Sequence, residues 1–153
     1  MKSVLKIGLL ILSGVLVLTL AACDEGDTEE QALQPEAVVR EYYHGLSNQD
    51  LEALKALQVE RRPALIYRQV VEGLKKAELI SIKENEEEKE AFIQSERGQY
   101  YKPENIRVFE VEAEFDYQQY ASLYYQRGKQ KRVYFVVREK EDSPWLIDEI
   151  GRI

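Results

Sequence analysis

Between Phe109 and Tyr117 the chain alternates without interruption. Phe109, Val111, Ala113, Phe115 and Tyr117 are apolar or aromatic, and Glu110, Glu112, Glu114 and Asp116 between them are acidic. Successive side chains of a strand point to opposite faces, so this run predicts a strand with one face on a core and the other in water. The chain must therefore build a sheet whose apolar side something covers. Val133, Phe135 and Val137 repeat the pattern, but Tyr134 and Val136 between them are also apolar. That strand is expected to be covered on both faces. Glu141-Asp142-Ser143-Pro144 is a turn cluster, and Trp145 to Ile153 reads as the last strand. Leu79, Ile80 and Ile82 suggest a shorter strand upstream.

Helices precede these strands. Pro35 suits a first helical turn and Glu36 complements the positive helix start. Val38, Val39, Tyr42, Tyr43 and Leu46 then share one face at helical spacing, and Gly45 to Asn48 ends the run. Asn48 or Asp50 caps a second helix that buries Leu51, Leu54 and Leu57. Pro63 opens a third, with Ile66, Tyr67, Val70, Val71 and Leu74 as its stripe. Glu84 to Glu90 holds five glutamates and one lysine, a solvated loop or a helix start. The residues from Ala91 to Asn105 favour neither helix nor strand. Helices followed by an antiparallel meander predict one α+β domain over residues 35–153, helices packed on one face of a curved sheet.

Ahead of that domain lie Lys2 and Lys6, an uncharged run from Ile7 to Leu20, and Leu20-Ala21-Ala22-Cys23. This order resembles the signal peptide and lipobox of bacterial lipoproteins. Fourteen residues rise about 21 Å as a helix, short of a permanent span. The resemblance implies that residues 1–22 are removed and that Cys23 takes a diacylglyceryl group and palmitate-type acyl chains. The protein would then be tied to the outer face of a bacterial cell membrane, since two chains anchor stably where one is marginal. The plainer reading is an ordinary signal or an uncleaved anchor with Cys23 there by chance. Cys23 is the sole cysteine, which counts against that reading and leaves no internal disulfide. Residues 23–34 carry Asp24, Glu25, Asp27, Glu29 and Glu30 without a base, as expected of an acidic tether. Asp24 also resembles the inner-membrane retention signal of Gram-negative lipoproteins.

Processing would lower the net charge from −7 to −9, because Lys2 and Lys6 leave with the signal. So acidic a domain lacks the basic footprint that nucleic acid demands. His44 has no second nitrogen or sulfur ligand for a metal, and no nucleophile elbow occurs, so neither metal nor cofactor is expected.

Pro35-Glu36-Ala37-Val38-Val39-Arg40-Glu41-Tyr42-Tyr43 with Asn48-Gln49-Asp50-Leu51-Glu52-Ala53-Leu54, and Lys140-Glu141-Asp142-Ser143-Pro144-Trp145-Leu146-Ile147-Asp148-Glu149-Ile150-Gly151 at the other end, are similar to small bacterial lipoproteins with a nuclear transport factor 2-like fold. The resemblance implies a cone-shaped sheet. That fold serves ketosteroid isomerases, dehydratases and binding proteins alike, so it implies no single activity. Its members often pair through the exposed sheet face. Here Glu110, Glu112 and Glu114 would set like charges against each other, which favours a monomer.

Two groups are candidate contacts. Tyr117, Tyr120, Tyr124 and Tyr125 offer flat apolar faces with hydroxyl handles, as a ligand mouth or partner surface requires; the plainer reading is strand filling. Arg127, Lys129, Lys131 and Arg132 gather around Gly128 and could touch anionic headgroups or wall polymers; the plainer reading is a solvated hairpin. The expected function is a non-catalytic lipoprotein domain that binds an envelope protein, a peptide or a small ligand. The alternative is a small-pocket enzyme of isomerase or dehydratase type. It would need an inward carboxylate beside a tyrosine, with Asp148 (parity with Leu146 and Ile150) and Asp116 as the candidates.

Overall fold

The computed structural model describes residues 33–60, 64–121 and 125–152. Among these residues, four helices and four strands follow in the order α1 (Pro35–Asn48), α2 (Leu51–Ala56), α3 (Ala64–Gly73), β1 (Leu74–Glu84), α4 (Glu86–Gln94), β2 (Ile106–Tyr117), β3 (Gly128–Val137) and β4 (Leu146–Arg152). Two short 3₁₀ turns, Gly98–Tyr100 and Pro103–Asn105, join α4 to β2.

Local chemistry explains the helix boundaries. Pro35 sits in the first turn of α1, and Gln49 ends it in the left-handed region at φ 55°. The Gln49 side chain then donates from Nε2 to the Leu74 carbonyl at 2.7 Å, while Ser47 donates to the Ala77 carbonyl at 2.8 Å. The end of α1 thereby occupies part of the outer edge of β1. Asp50, of the two residues predicted as caps, accepts from Ala53 N at 3.0 Å and starts α2. The stripe predicted for the third helix runs past its end, because Leu74 opens β1 and is buried there. The glutamate-rich run becomes α4. Asn85 caps it by accepting from Glu88 N at 3.0 Å, and Glu86, Glu87 and Glu88 occupy the first turn where the helix dipole favours them.

The sheet is a meander, β1-β2-β3-β4, every neighbour antiparallel. On one face Phe109, Val111, Ala113, Phe115 and Tyr117 of β2 and Tyr134 and Val136 of β3 pack against Val38, Val39, Tyr42, Tyr43 and Leu46 of α1 and Leu54 of α2. On the other face Ile106, Val108, Val133 and Val137 pack against Phe92 of α4. The acids of β2 lie on this second face beyond the reach of α4, half-exposed as the alternation requires.

Two expectations fail here. The sheet does not close or curl into the cone of a nuclear transport factor 2-like fold; β1 and β4 remain separate edges of an open sheet. The helices are not confined to one face either, since α4 covers part of the reverse side. The coarser α+β arrangement stands. The physical reason is that apolar residues at Ile106, Val108 and Phe92 demand cover on the reverse face. That layer makes a three-layer stack at one end of the sheet instead of a wrap around one side.

Candidate functional site

The interior of the α1 face is aromatic. Tyr134 donates to the Tyr43 hydroxyl at 2.9 Å, both rings are buried, and Tyr42 meets Tyr134 edge-on at 5.8 Å. Burial raises both phenol pKa values above the ordinary 10, that of Tyr134 strongly; the Tyr134 hydrogen bond offsets part of the rise at Tyr43. The hydrogen bond between these two neutral hydroxyls lies inside the packed core. Phe115 and Tyr117 stack at 6.1 Å, and Tyr125 leans on Tyr117 at 5.5 Å. Of the four candidate tyrosines, Tyr117 is thus core, Tyr125 is half-buried against it, Tyr120 is exposed, and Tyr124 lies outside the described residues. Cys23 lies outside them too.

The four candidate cations do not form one patch. Lys131 reaches Glu110 at 2.8 Å and Arg127 reaches Asp116 at 3.5 Å, both on the wet face of β2. That contact raises the Lys131 pKa and lowers that of Glu110, hydrogen bonding first and charge second. Lys129 stands opposite Glu114 in the β2–β3 register. Arg132 lies over the Phe115 ring, 4.4 Å from its centroid, on the other face. The alternation that puts acids on β2 gives each base on the wet face an acid neighbour. His44 is exposed at the end of α1, with Nε2 at 3.0 Å from the Asn48 amide. Among the described residues no group of three His, Cys, Asp or Glu is placed to hold a metal.

Asp148 departs from its expected position. A bulge between Phe135 and Val136 makes Asp148 the extra residue of β4, so it does not share the side of Ile150. Its carboxylate is buried, with 1 % of the side chain exposed, and lies 2.8 Å from Arg97 Nη2. That nitrogen donates to the Asp148 backbone carbonyl, 3.2 Å away, and no hydrogen lines up with Oδ2, which is balanced by the charge of Arg97. Tyr101 donates to Oδ1 at 3.5 Å, and Arg97 also pairs with Glu149. Arg97 thus ties the segment after α4 to two consecutive acids of a bulge. Gly98 lets this segment pass so close to α4 that a Cβ there would sit 1.9 Å from the Phe92 carbonyl oxygen.

Two clefts flank this tie. One, of about 450 Å³, lies between α4 and β3–β4, with Phe92, Phe135, Arg97 and Glu149 in its walls. The other, of about 480 Å³, lies at the β3–β4 turn. Its far wall is the segment after α2, which is laid along the β4 edge: Ile147 N donates to Leu57 O at 2.8 Å, and Val59 N donates to Ile147 O at 3.1 Å. Val59, Pro144 and Leu146 give this cleft apolar surface; Tyr101, Ser143 and Arg138 give it polar groups. Arg138 is held rigidly. Its guanidinium lies 4.6 Å from the Trp145 ring centroid, Nε donates to Asn105 Oδ1 at 2.9 Å, and Nη1 donates to the Glu141 carbonyl at 2.6 Å. Asn105 is itself buried at 3 % exposure.

Residues 36–151 match the family model described as Domain of unknown function (DUF4829). The chain belongs to that family. No curated protein matches it, and no solved structure does either. The likeness of both ends of the DUF4829 domain to nuclear transport factor 2-like lipoproteins is therefore corrected: the matched family is a different one, and its sheet is open.

Arg97, Tyr101 and Arg138 of the DUF4829 domain were not singled out by sequence reasoning. For Arg138 a signal existed. Once Val137 pairs with Leu146, Arg138 and Trp145 are the next residues outward on the two strands, an arginine beside the sole tryptophan. For Arg97 none did, because its partners depend on a bulge.

Proposed function

We propose that this chain is an exported protein, lipid-anchored through Cys23 at the outer face of a bacterial cell membrane, and that its DUF4829 domain is a non-catalytic binding module. The observation that carries the binding reading is the 480 Å³ cleft at the β3–β4 turn, which joins apolar walls to an arginine fixed from three sides. Small-ligand sites have this size and this mixture of apolar lining with few placed polar groups. The carboxylate that an isomerase-type reaction would use, Asp148, is engaged by Arg97 and Tyr101, and the buried phenols engage each other. Those contacts favour binding over catalysis.

The anchoring reading rests on Leu20-Ala21-Ala22-Cys23 and the leader before it. Mass spectrometry of the membrane-extracted protein tests it directly. A mature chain that begins at a diacylated Cys23, and a Cys23→Ser variant that keeps its leader, are the expected results. An unmodified Cys23 in the native protein contradicts the reading. Native mass spectrometry of the gently purified full chain tests the module: a co-isolated ligand is expected, and it should be lost when Ala56→Phe fills the cleft from its exposed wall.

A further inference from the structure

Two arginines of this domain, Arg132 and Arg138, lie on an aromatic ring and have no carboxylate within ion-pair distance among the described residues, and of these Arg138 lines the cleft. Arg97, Arg127, Lys131, Lys76 and Lys55 each have a carboxylate within ion-pair distance. Arg138 has none among the described residues, and its fixed contacts are all with neutral groups: an indole face, an amide oxygen and a backbone carbonyl. Those contacts occupy two of the five N–H groups of a guanidinium and leave three, all on the two terminal nitrogens. A planar fork held rigid by stacking, with its terminal edge unassigned and its charge unpaired by protein, matches a carboxylate in two-point geometry. Being fixed beforehand, it loses little side-chain entropy on binding.

The surroundings narrow the class. Glu60 and Glu139 also line the cleft, and the whole chain carries a net charge of −7. A dianion such as phosphate would meet those acids with one guanidinium for support. A single negative charge is matched by that guanidinium, and Val59, Pro144 and Leu146 offer apolar contact to whatever carries it. Lys55, which also lines the cleft, is engaged by Glu52 at 2.7 Å.

We infer that the cleft binds a monocarboxylate attached to an apolar body, the carboxylate on the terminal edge of Arg138 and the body on Val59, Pro144 and Leu146. This rests on the binding-module reading above and adds the ligand chemistry. A small branched-chain acid and the free C-terminus of a short apolar peptide share that chemistry.

The test uses the built-in reporter. Trp145 is the sole tryptophan, and its ring is the one Arg138 lies on, so a carboxylate seated on Arg138 alters its emission. The detergent-solubilised full chain is titrated with 4-methylpentanoate and with N-acetyl-Ala-Leu, then with their amides, 4-methylpentanamide and N-acetyl-Ala-Leu-amide. At least one acid is expected to shift the emission saturably, with its amide about 10- to 100-fold weaker, as loss of a charge-assisted hydrogen-bonded pair implies. Response to the peptide acid alone assigns a peptide C-terminus, and response to the small acid alone assigns a free metabolite acid; either supports the inference. Arg138→Lys should weaken the acid tenfold or more while retaining the charge, and Ala56→Phe, at an exposed cleft position, should abolish the response. Equal response to acids and amides overturns the carboxylate assignment while leaving a binding cleft in place. No response to either acid overturns the inference outright, and native mass spectrometry still decides the module reading separately.

Discussion

Arg97→Ala is the most informative single change for the fold. It removes the cation that faces Asp148, whose side chain is 1 % exposed, and one partner of Glu149. Breaking a buried ion pair by deleting one member costs about 3–5 kcal/mol, because the remaining charge stays buried. Arg97 is itself 40 % exposed, so water screens part of the pair, and a discounted cost of about 2–3 kcal/mol is expected. In a domain of this size that lowers Tm by roughly 10 °C. The acid alone explains the loss, so removing it as well should restore most of the stability. Arg97→Met with Asp148→Leu should fold within about 1 kcal/mol of the native protein, since apolar replacements of a buried pair are often neutral. Urea denaturation followed by circular dichroism, with linear extrapolation, measures all three proteins. The reasoning is refuted if Arg97→Ala costs under about 0.5 kcal/mol, or if the double variant loses as much as the single one.

Gly98→Ala should cost about 2–4 kcal/mol, seen in the same denaturation assay, because the new methyl collides with the Phe92 backbone and not with a movable side-chain end. Tyr134→Phe should cost about 1–3 kcal/mol by leaving the buried Tyr43 hydroxyl without its donor, whereas the double change Tyr43→Phe with Tyr134→Phe should be close to neutral. Burial raises both phenol pKa values, so the protonated forms belong to the folded state. Stability from this pair is therefore complete below about pH 10 and falls as pH climbs from there through the folded-state values; the double variant should show a shallower alkaline loss in a pH series of thermal midpoints. Lys131→Ala, on a contact exposed to water, should leave the thermal midpoint within error.

Legibility in the sequence followed the strength of local pattern. The β2 alternation from Phe109 to Tyr117 and the apolar stripe of α1 each carry a full period several times over, and both appear as read. In α4 one buried residue, Phe92, faces the sheet, so the helix has no stripe to show and its glutamates dominate the impression. That helix lies between the two end motifs, and it is the element that turns the expected one-sided packing into two-sided cover. The motifs at the two ends encode a helix start and a closing hairpin, which many α+β folds share, and they carry no information on how the sheet edges meet. Asp148 shows the limit of parity. A single inserted residue in β4 shifts the face of its neighbours, and nothing in Leu146-Ile147-Asp148-Glu149 announces it. The cleft depends on a contact between Gln58 and Ile147, 89 positions apart in sequence, which no local pattern encodes.

The claim on which the functional account turns is that a ligand occupies the cleft beside the β3–β4 turn. Site-specific photocrosslinking in intact cells measures that most directly, with the reactive residue at Ser143 in the cleft or, as a control, at Glu114 on the charged face. Adducts should form from position 143, disappear when Ala56→Phe is added, and be few from position 114. Equal adduct yields from the two positions, or none from position 143, would contradict the account.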